Sequence, residues 1–461
     1  MSAVLSFVSA VFWGVIVLSL LVFVHEGGHF LAARALGVRV TEFFLGLPCR
    51  WRISAKSKKL GTEYGVTLFL MGGYNRICGM SGVSDPLLAP ALELIMARGR
   101  ITGEELAAEL GCDLECAYRL FEILTDWGSI RPYYNPALGE DPNQKNWPAA
   151  FETLARDASL LTEYDRGHDF ATPGSTAAGE PHPIDMDAEK FLAQERSHTY
   201  LGANFLGRVF MLLAGPAVNV LLAFLIVAAS LMYTGVSYVK NVSTIASVDA
   251  GSYAEAAGLE AGDIVTSLDG QEVSTWTELL VALSPCLEEG RDFTLTVKRG
   301  EEELTLNADL PDGQTVSLFG VNAQTEVYHP SFSEAARYAV AYGKQVATYA
   351  FKLIVPTQTM EVLNQSSSVV GISVMASQAA SSGPSTLIQY IAAISMSLGF
   401  MNLLPIPPLD GGKILIEAIQ LIIRRDLSIK VQNIITYVGL AFFLFIFVFA
   451  LRNDILNFVI G

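Results

Sequence analysis

An apolar run from about Ser9 to Ala33 is long enough to cross a bilayer, yet its second half carries His25-Glu26-Gly27-Gly28-His29. About 20 consecutive apolar residues commit a segment to a helix in lipid, where no water is present to satisfy an open backbone. A carboxylate and two imidazoles at that depth are costly to insert, so they point to work done there. On a helix, residues i and i+4 share one face, and an H-E-x-x-H pattern therefore offers two imidazoles to a single metal ion. Two of the six histidines fall within these five residues.

The rest of the chain is of the same kind. It is 51% hydrophobic and 16% charged, with a mean hydropathy of +0.39, too apolar for a soluble protein of 461 residues. Three further stretches, 208–233, 387–404 and 434–451, read as spans. No Lys or Arg precedes the first run, and it is too long for a cleaved signal peptide, so it reads as a retained span. Arg34, Arg39, Arg50, Arg52, Lys56, Lys58 and Lys59 follow it, Arg208 opens the second span, and Arg424, Arg425 and Lys430 lie between the last two. Basic residues mark the cytoplasmic side, so both chain ends and residues 238–384 are expected outside. The net charge of −16 argues against a nucleic-acid partner. Five cysteines give no disulfide framework; Cys112 and Cys116 read as small core residues rather than a metal pair.

A catalytic zinc site wants three protein ligands and an open position. The third is found in Asn402-Leu403-Leu404-Pro405-Ile406-Pro407-Pro408-Leu409-Asp410-Gly411-Gly412, directly after the third span. The first and third spans run in the same direction, and His29 and Asp410 both lie near their cytoplasmic ends. The three ligands can therefore meet at one depth. Glu26 points about 100° away from its neighbour His25 and suits a general base rather than a ligand.

The two motifs resemble those of the site-2 protease family of intramembrane zinc metalloproteases, in its RseP-like bacterial branch. The resemblance implies Zn2+ held by His25, His29 and Asp410, with Glu26 as catalytic base and Asn402 positioning substrate or stabilising the oxyanion. It extends to Gly215-Pro216-Ala217-Val218-Asn219, similar to the family's G-x-x-x-N packing element. Residues 370–375 resemble the family's G-P-I segment without its proline. The implied activity is hydrolysis of peptide bonds in or near the membrane segment of single-span substrates, such as anti-sigma factors or remnant signal peptides. Membrane lipid is the surrounding partner, and the implied place is the bacterial inner membrane. A catalytically silent PDZ scaffold is the alternative, against which the intact Glu26 argues. A metal-gated transporter would want an inverted repeat, and none is seen.

Around this core, alternation and the Gly72-Gly73 pair make Gly61–Tyr74 a β-hairpin, either a plain hairpin or an edge that holds substrate extended. Ala254–Val265, with the A-x-x-A-G-L-x-x-G-D pattern, resembles PDZ domains of envelope proteases, and could bind C-termini or occlude the active-site entrance. Residues 333–355 form an amphipathic helix for the outer membrane surface. Residues 85–200 are an insert. Helices over 90–97, 102–110 (opened by a Thr102/Glu105 capping box) and 113–126, then a strand over 129–134, give a winged-helix pattern similar to the DNA-reading domain of FtsK-like translocases. Its third helix carries Asp113, Glu115, Glu122 and Asp126 against Arg119, which disfavours nucleic acid and favours a cytoplasmic protein partner. Residues 164–182 read as a linker, with His168, His182 and His198 solvated. Removing the insert is expected to leave metal binding intact.

The expected architecture is thus a polytopic α-helical membrane protein of four transmembrane helices, with a membrane-associated β-hairpin, an extracytoplasmic α+β PDZ domain and a cytoplasmic mainly-α insert. Its parts are the first span (1–35), β-loop (36–84), winged-helix-like insert (85–135) and insert remainder (136–204). The second span (205–236), PDZ domain (240–312), amphipathic helix and loop (313–384), third span (385–412) and fourth span (431–455) complete it.

Overall fold

The computed structural model describes residues 2–80, 85–425 and 427–456. The chain divides into two units, one of residues 1–227 with 338–461 and the other of residues 228–337. Helix α1 (Ser2–Ala35) has 34 residues, about 50 Å of helix against a hydrocarbon core of about 30 Å. It stops at Gly37, whose φ of +79° suits a residue without a β-carbon.

Four strands follow: β1 (Val40–Leu45), β2 (Arg52–Lys56), β3 (Glu63–Thr67) and β4 (Gly73–Ile77), in the order β2-β3-β1-β4. The expected hairpin is corrected here. β3 and β4 do not pair with each other; β1 lies between them, parallel to β3 and antiparallel to β4. The reason is burial. β1 is the most apolar of the four, with Val40 and Phe44 fully buried, and the central place covers it on both sides. Phe44 stacks on Tyr74, ring centres 5.3 Å apart. β4 is left as an edge. Residues 81–84, the end of the expected β-loop, lie outside the described residues.

The insert contains α2 (Leu88–Arg98), β5 (Arg100–Thr102), α3 (Gly103–Leu110), α4 (Leu114–Asp126), β6 (Ile130–Tyr133) and β7 (Ala150–Thr153). Three helices enclose one core with the sheet β5-β7-β6, the connectivity of a winged helix. Thr102 and Glu105 form the capping box. The expected boundary at 135 is too short, because β6 needs its return strand β7, whose Phe151 stacks on Phe121 at 4.2 Å. Asp113, which caps α4, and Glu115 and Glu122 on it are exposed, while its apolar side is buried. Residues 85–200 hold twenty-one Asp and Glu against nine Lys and Arg, a net charge of −12.

The expected linker is a packed segment. Thr176 exchanges backbone hydrogen bonds with Arg156, and the His182 N–H donates to the Met96 carbonyl. Composition hides this because buried charge rather than apolar surface orders it. Arg39, which follows α1, is fully buried and donates to Asp165 (2.7 and 2.8 Å) and to Glu195 (2.8 Å). Glu195, on α5 (Ala188–Ser197), also takes bonds from the buried Arg156 at 2.9 and 3.0 Å. Nor are the three histidines merely solvated. His168 bonds the Asp165 carbonyl, His182 the Thr176 hydroxyl, and His198 lies 3.3 Å from the Asp165 carboxylate.

This network changes what removal of the insert should do, since it would strip Arg39 of both carboxylates. Replacing Arg39 by Met leaves Glu195 and Asp165 short of a cation, and breaking a buried pair costs about 3–5 kcal/mol. A large fall in thermal midpoint is expected, and an unchanged midpoint would contradict the assignment. Burial works to raise the Glu195 pKa, but Arg156 and Arg39 overrule it and hold the carboxyl well below its usual range. Its folded pKa being the lower, its contribution is present at neutral pH. That contribution is lost as pH falls below the ordinary carboxylate value and through the folded one.

Helix α6 (Phe205–Thr234) is the second long apolar helix. The unit of residues 228–337 then contains β8 (Val236–Val239), β9 (Ile245–Val248), α7 (Tyr253–Ala256), β10 (Ile264–Leu268), β11 (Gln271–Glu272), α8 (Trp276–Glu289), β12 (Phe293–Arg299), β13 (Glu302–Ala308), β14 (Val321–Ala323) and β15 (Thr325–Tyr328). Its main sheet has the order β11-β10-β12-β13. In the glycine-rich signature, Ala254 and Leu259 are core residues, and the buried Asp263 takes two bonds of 2.8 Å from Arg299. The expected limits of 240 and 312 are too narrow: β14 pairs with β9, and β15 with β8.

The chain continues through α9 (Phe332–Lys352), α10 (Thr359–Gln365), α11 (Val369–Ser381), α12 (Pro384–Asn402), α13 (Asp410–Ile423) and α14 (Ile429–Ile455). Asp454 of α14 accepts from Ser368 and from the Gly371 N–H, which pins the start of α11. Three helices among the described residues are long and apolar enough to cross a membrane: Val4–Ala35, Phe205–Thr234 and Lys430–Ile455. The expected third span, α12, does not reach that apolarity, because Thr386, Gln389, Ser395 and Ser397 interrupt it. One of these polar groups is spent on a helix contact: the Ser395 hydroxyl donates to the Asn219 carbonyl of α6 at 2.8 Å.

Candidate metal centre

α1, α6 and α13 meet at the H-E-x-x-H turn, where small residues permit the approach. A β-carbon on Gly28 would lie 2.4 Å from the Ala214 carbonyl oxygen, and one on Gly215 would lie 2.3 Å from His29 Nε2. The Gly215–Asn219 element is thus a packing surface whose first residue touches an imidazole. Asn219 itself is fully buried. Asp410 is the first residue of α13 and is buried, its carboxylate at the positive end of the helix.

The structure brings His25, His29 and Asp410 together. His25 Nε2 and His29 Nε2 are 3.1 Å apart, and Asp410 Oδ2 lies 3.1 Å from the first and 3.2 Å from the second. His29 Nδ1 is 2.7 Å from the Met211 carbonyl, which can only accept, so Nδ1 carries the proton and Nε2 presents a lone pair. That lone pair faces a carboxylate oxygen, an arrangement that a shared cation satisfies. Ligands about 2.0–2.1 Å from a tetrahedral zinc stand about 3.3 Å from one another. The triangle is close to that size, all three residues are buried, and the donor set of two imidazoles and a carboxylate suits zinc.

Glu26 borders the same cavity of about 350 Å³, as do Asn402, Tyr74, Asn75 and Lys413. Asn402 Nδ2 donates to the Leu398 carbonyl at 3.0 Å, which leaves its second N–H for another acceptor. Several cavity residues escaped the sequence reading. Asn75 of β4 donates to the Glu26 carbonyl at 2.9 Å and ties the edge strand to the H-E-x-x-H turn. Tyr200 donates to Glu417, which also takes a bond from Arg208 at 2.8 Å. Lys413 lies one turn after Asp410, Nζ 3.7 Å from its Oδ1. Its i+3 spacing was the available signal; the partners of Asn75 and Tyr200 gave none, being remote in sequence.

Residues 13–446 match the model of peptidase family M50. The chain is 26% identical to the regulator of sigma-W protease RasP of Bacillus subtilis, over 97% of this chain and 99% of that protein. It is 26% identical to the probable protease eep of Enterococcus faecalis, over 96% and 98%. It is 27% identical to the zinc metalloprotease RasP of Shouchella clausii, over 95% and 97%.

Proposed function

This chain belongs to peptidase family M50, the site-2 proteases, and we propose that His25, His29 and Asp410 are its zinc ligands and Glu26 its general base. It is a zinc metalloprotease of the membrane. The observation that carries the residue assignment is the closed triangle of three buried ligand atoms drawn from opposite ends of the chain. We read the orientation from the basic residues: four spans, α12 being the third, with both termini outside. The insert, with its excess of acid, is then a cytoplasmic protein-interaction module. The substrates are single-span membrane proteins. The name of the B. subtilis relative, a regulator of sigma-W, favours anti-sigma factors among them.

Zinc, when bound, polarises the scissile carbonyl and makes water a nucleophile at neutral pH. Glu26 takes the proton of the attacking water and returns it to the leaving nitrogen. Asn402 lines the same cavity and keeps one N–H free, which supports its donating to the oxyanion. A helical substrate hides its carbonyls in its own hydrogen bonds, so it must be opened first. The β4 edge, fixed beside Glu26 through Asn75, can hold it extended by strand addition. Replacing Asn402 by Ala is expected to lower kcat by about 10²–10³, with zinc content and KM little changed. Unchanged kcat on a tagged single-span substrate would remove Asn402 from the mechanism.

A further inference from the structure

A second cavity of about 450 Å³ adjoins the catalytic one, and Met80, Tyr200, Pro408 and Lys413 line both. Its walls come from the starts of α6 and α14, from α13 and from the insert residues Trp127, Leu192 and Arg196. Its charge is unbalanced. Arg208 is spent on Glu417 (2.8 Å) and Lys413 lies 3.7 Å from the Asp410 carboxylate of the neighbouring cavity, so the lining holds three cations against the one carboxylate of Glu417, and Arg196 is the cation left over. Arg196 is exposed and makes no ion pair among the described residues. Lys413 is the only Lys or Arg that lines the catalytic cavity among the described residues.

Hydrolysis changes the charge of what the site holds. Water adds to the carbonyl carbon, the C–N bond breaks, and the neutral amide becomes a carboxylate on one fragment and an ammonium on the other. We propose that the second cavity is the outlet for the N-terminal fragment, and that Lys413 and then Arg196 bind its new carboxylate. This rests on the peptidase reading. The pair distinguishes product from substrate, because an uncleaved chain has no carboxylate at that point. The insert thereby becomes part of the outlet rather than an appendage.

The test is binding of a short labelled Leu/Ala peptide, as C-terminal acid or amide, to the full-length protein in detergent, before and after zinc is removed by chelation. The acid is expected to bind about tenfold more tightly than the amide in both states, as a charge-assisted contact would give. Arg196→Ala should bring the ratio to within about twofold, and Arg196→Lys should restore most of it. A preference that vanishes with zinc removal would assign the carboxylate to the metal alone and overturn the proposal. So would a ratio unchanged in Arg196→Ala, or a loss equal for acid and amide. An Arg196→Ala defect seen only in vesicles containing phosphatidylglycerol would assign the cavity to a lipid headgroup instead. None of these readings requires cleavage, so failure of the wild type to hydrolyse any single-span substrate would count separately, against the peptidase reading.

Discussion

Replacing Glu26 by Gln abolishes hydrolysis and leaves zinc in place: that is the expected result for a residue that handles protons and touches no metal. The side chain borders the cavity beside the triangle of His25, His29 and Asp410 but is not one of its three members. Gln keeps the shape and removes the base, so the proton of the attacking water has no acceptor. General acid–base catalysis is worth about 10²–10⁴. Because the same carboxyl serves both the water and the leaving nitrogen, the loss should sit at or beyond the upper end. Zinc measured by metal analysis should stay at one per chain in both proteins. A variant that has lost its zinc would make Glu26 a ligand, and one that still cleaves would remove it from the mechanism.

A single methyl group on α6 is expected to do as much damage by another route. The β-carbon of Gly215→Ala would lie 2.3 Å from His29 Nε2, well inside contact distance, and His29 is tethered at its other nitrogen by Met211. The ring must turn away, which withdraws one ligand and breaks the tether. Disturbing the groups that orient a ligand typically costs 10–100-fold in metal affinity, and loss of the ligand itself should exceed that. Gly28→Ala should behave likewise, as its β-carbon would meet the α6 backbone at Ala214. Gly27→Ala is the control, because the nearest atom to its β-carbon is 3.8 Å away. It should keep zinc, and Ala favours the helix by about 1 kcal/mol over Gly. Equal zinc retention in all three would contradict the packing described for α1 and α6.

The meeting of His25, His29 and Asp410 was legible because helical periodicity places the two imidazoles on one face, and because an Asp directly after a span stands at the same depth as that face. Glu26 came with them. What was not legible depends on contacts between residues remote in sequence. The alternation of Gly61–Tyr74 reveals strands, but not that β1 would enter between them. Asn75 is an ordinary polar residue until β4 is laid beside α1. Residues 164–182 have the composition of a linker because their order comes from Arg39, Arg156 and Glu195, which lie outside that window. α12 falls between the categories, apolar enough to bury and polar enough to bond a neighbouring helix.

The most direct test of the account is to identify the bond that is cleaved. A tagged single-span substrate is incubated with wild-type protein, and both fragments are read by mass spectrometry. One pair of termini within or beside the apolar segment, at the depth of the H-E-x-x-H turn, is expected, and none with Glu26→Gln. Fragments that end far out in a soluble domain, or the same fragments from the Glu26→Gln protein, would contradict it.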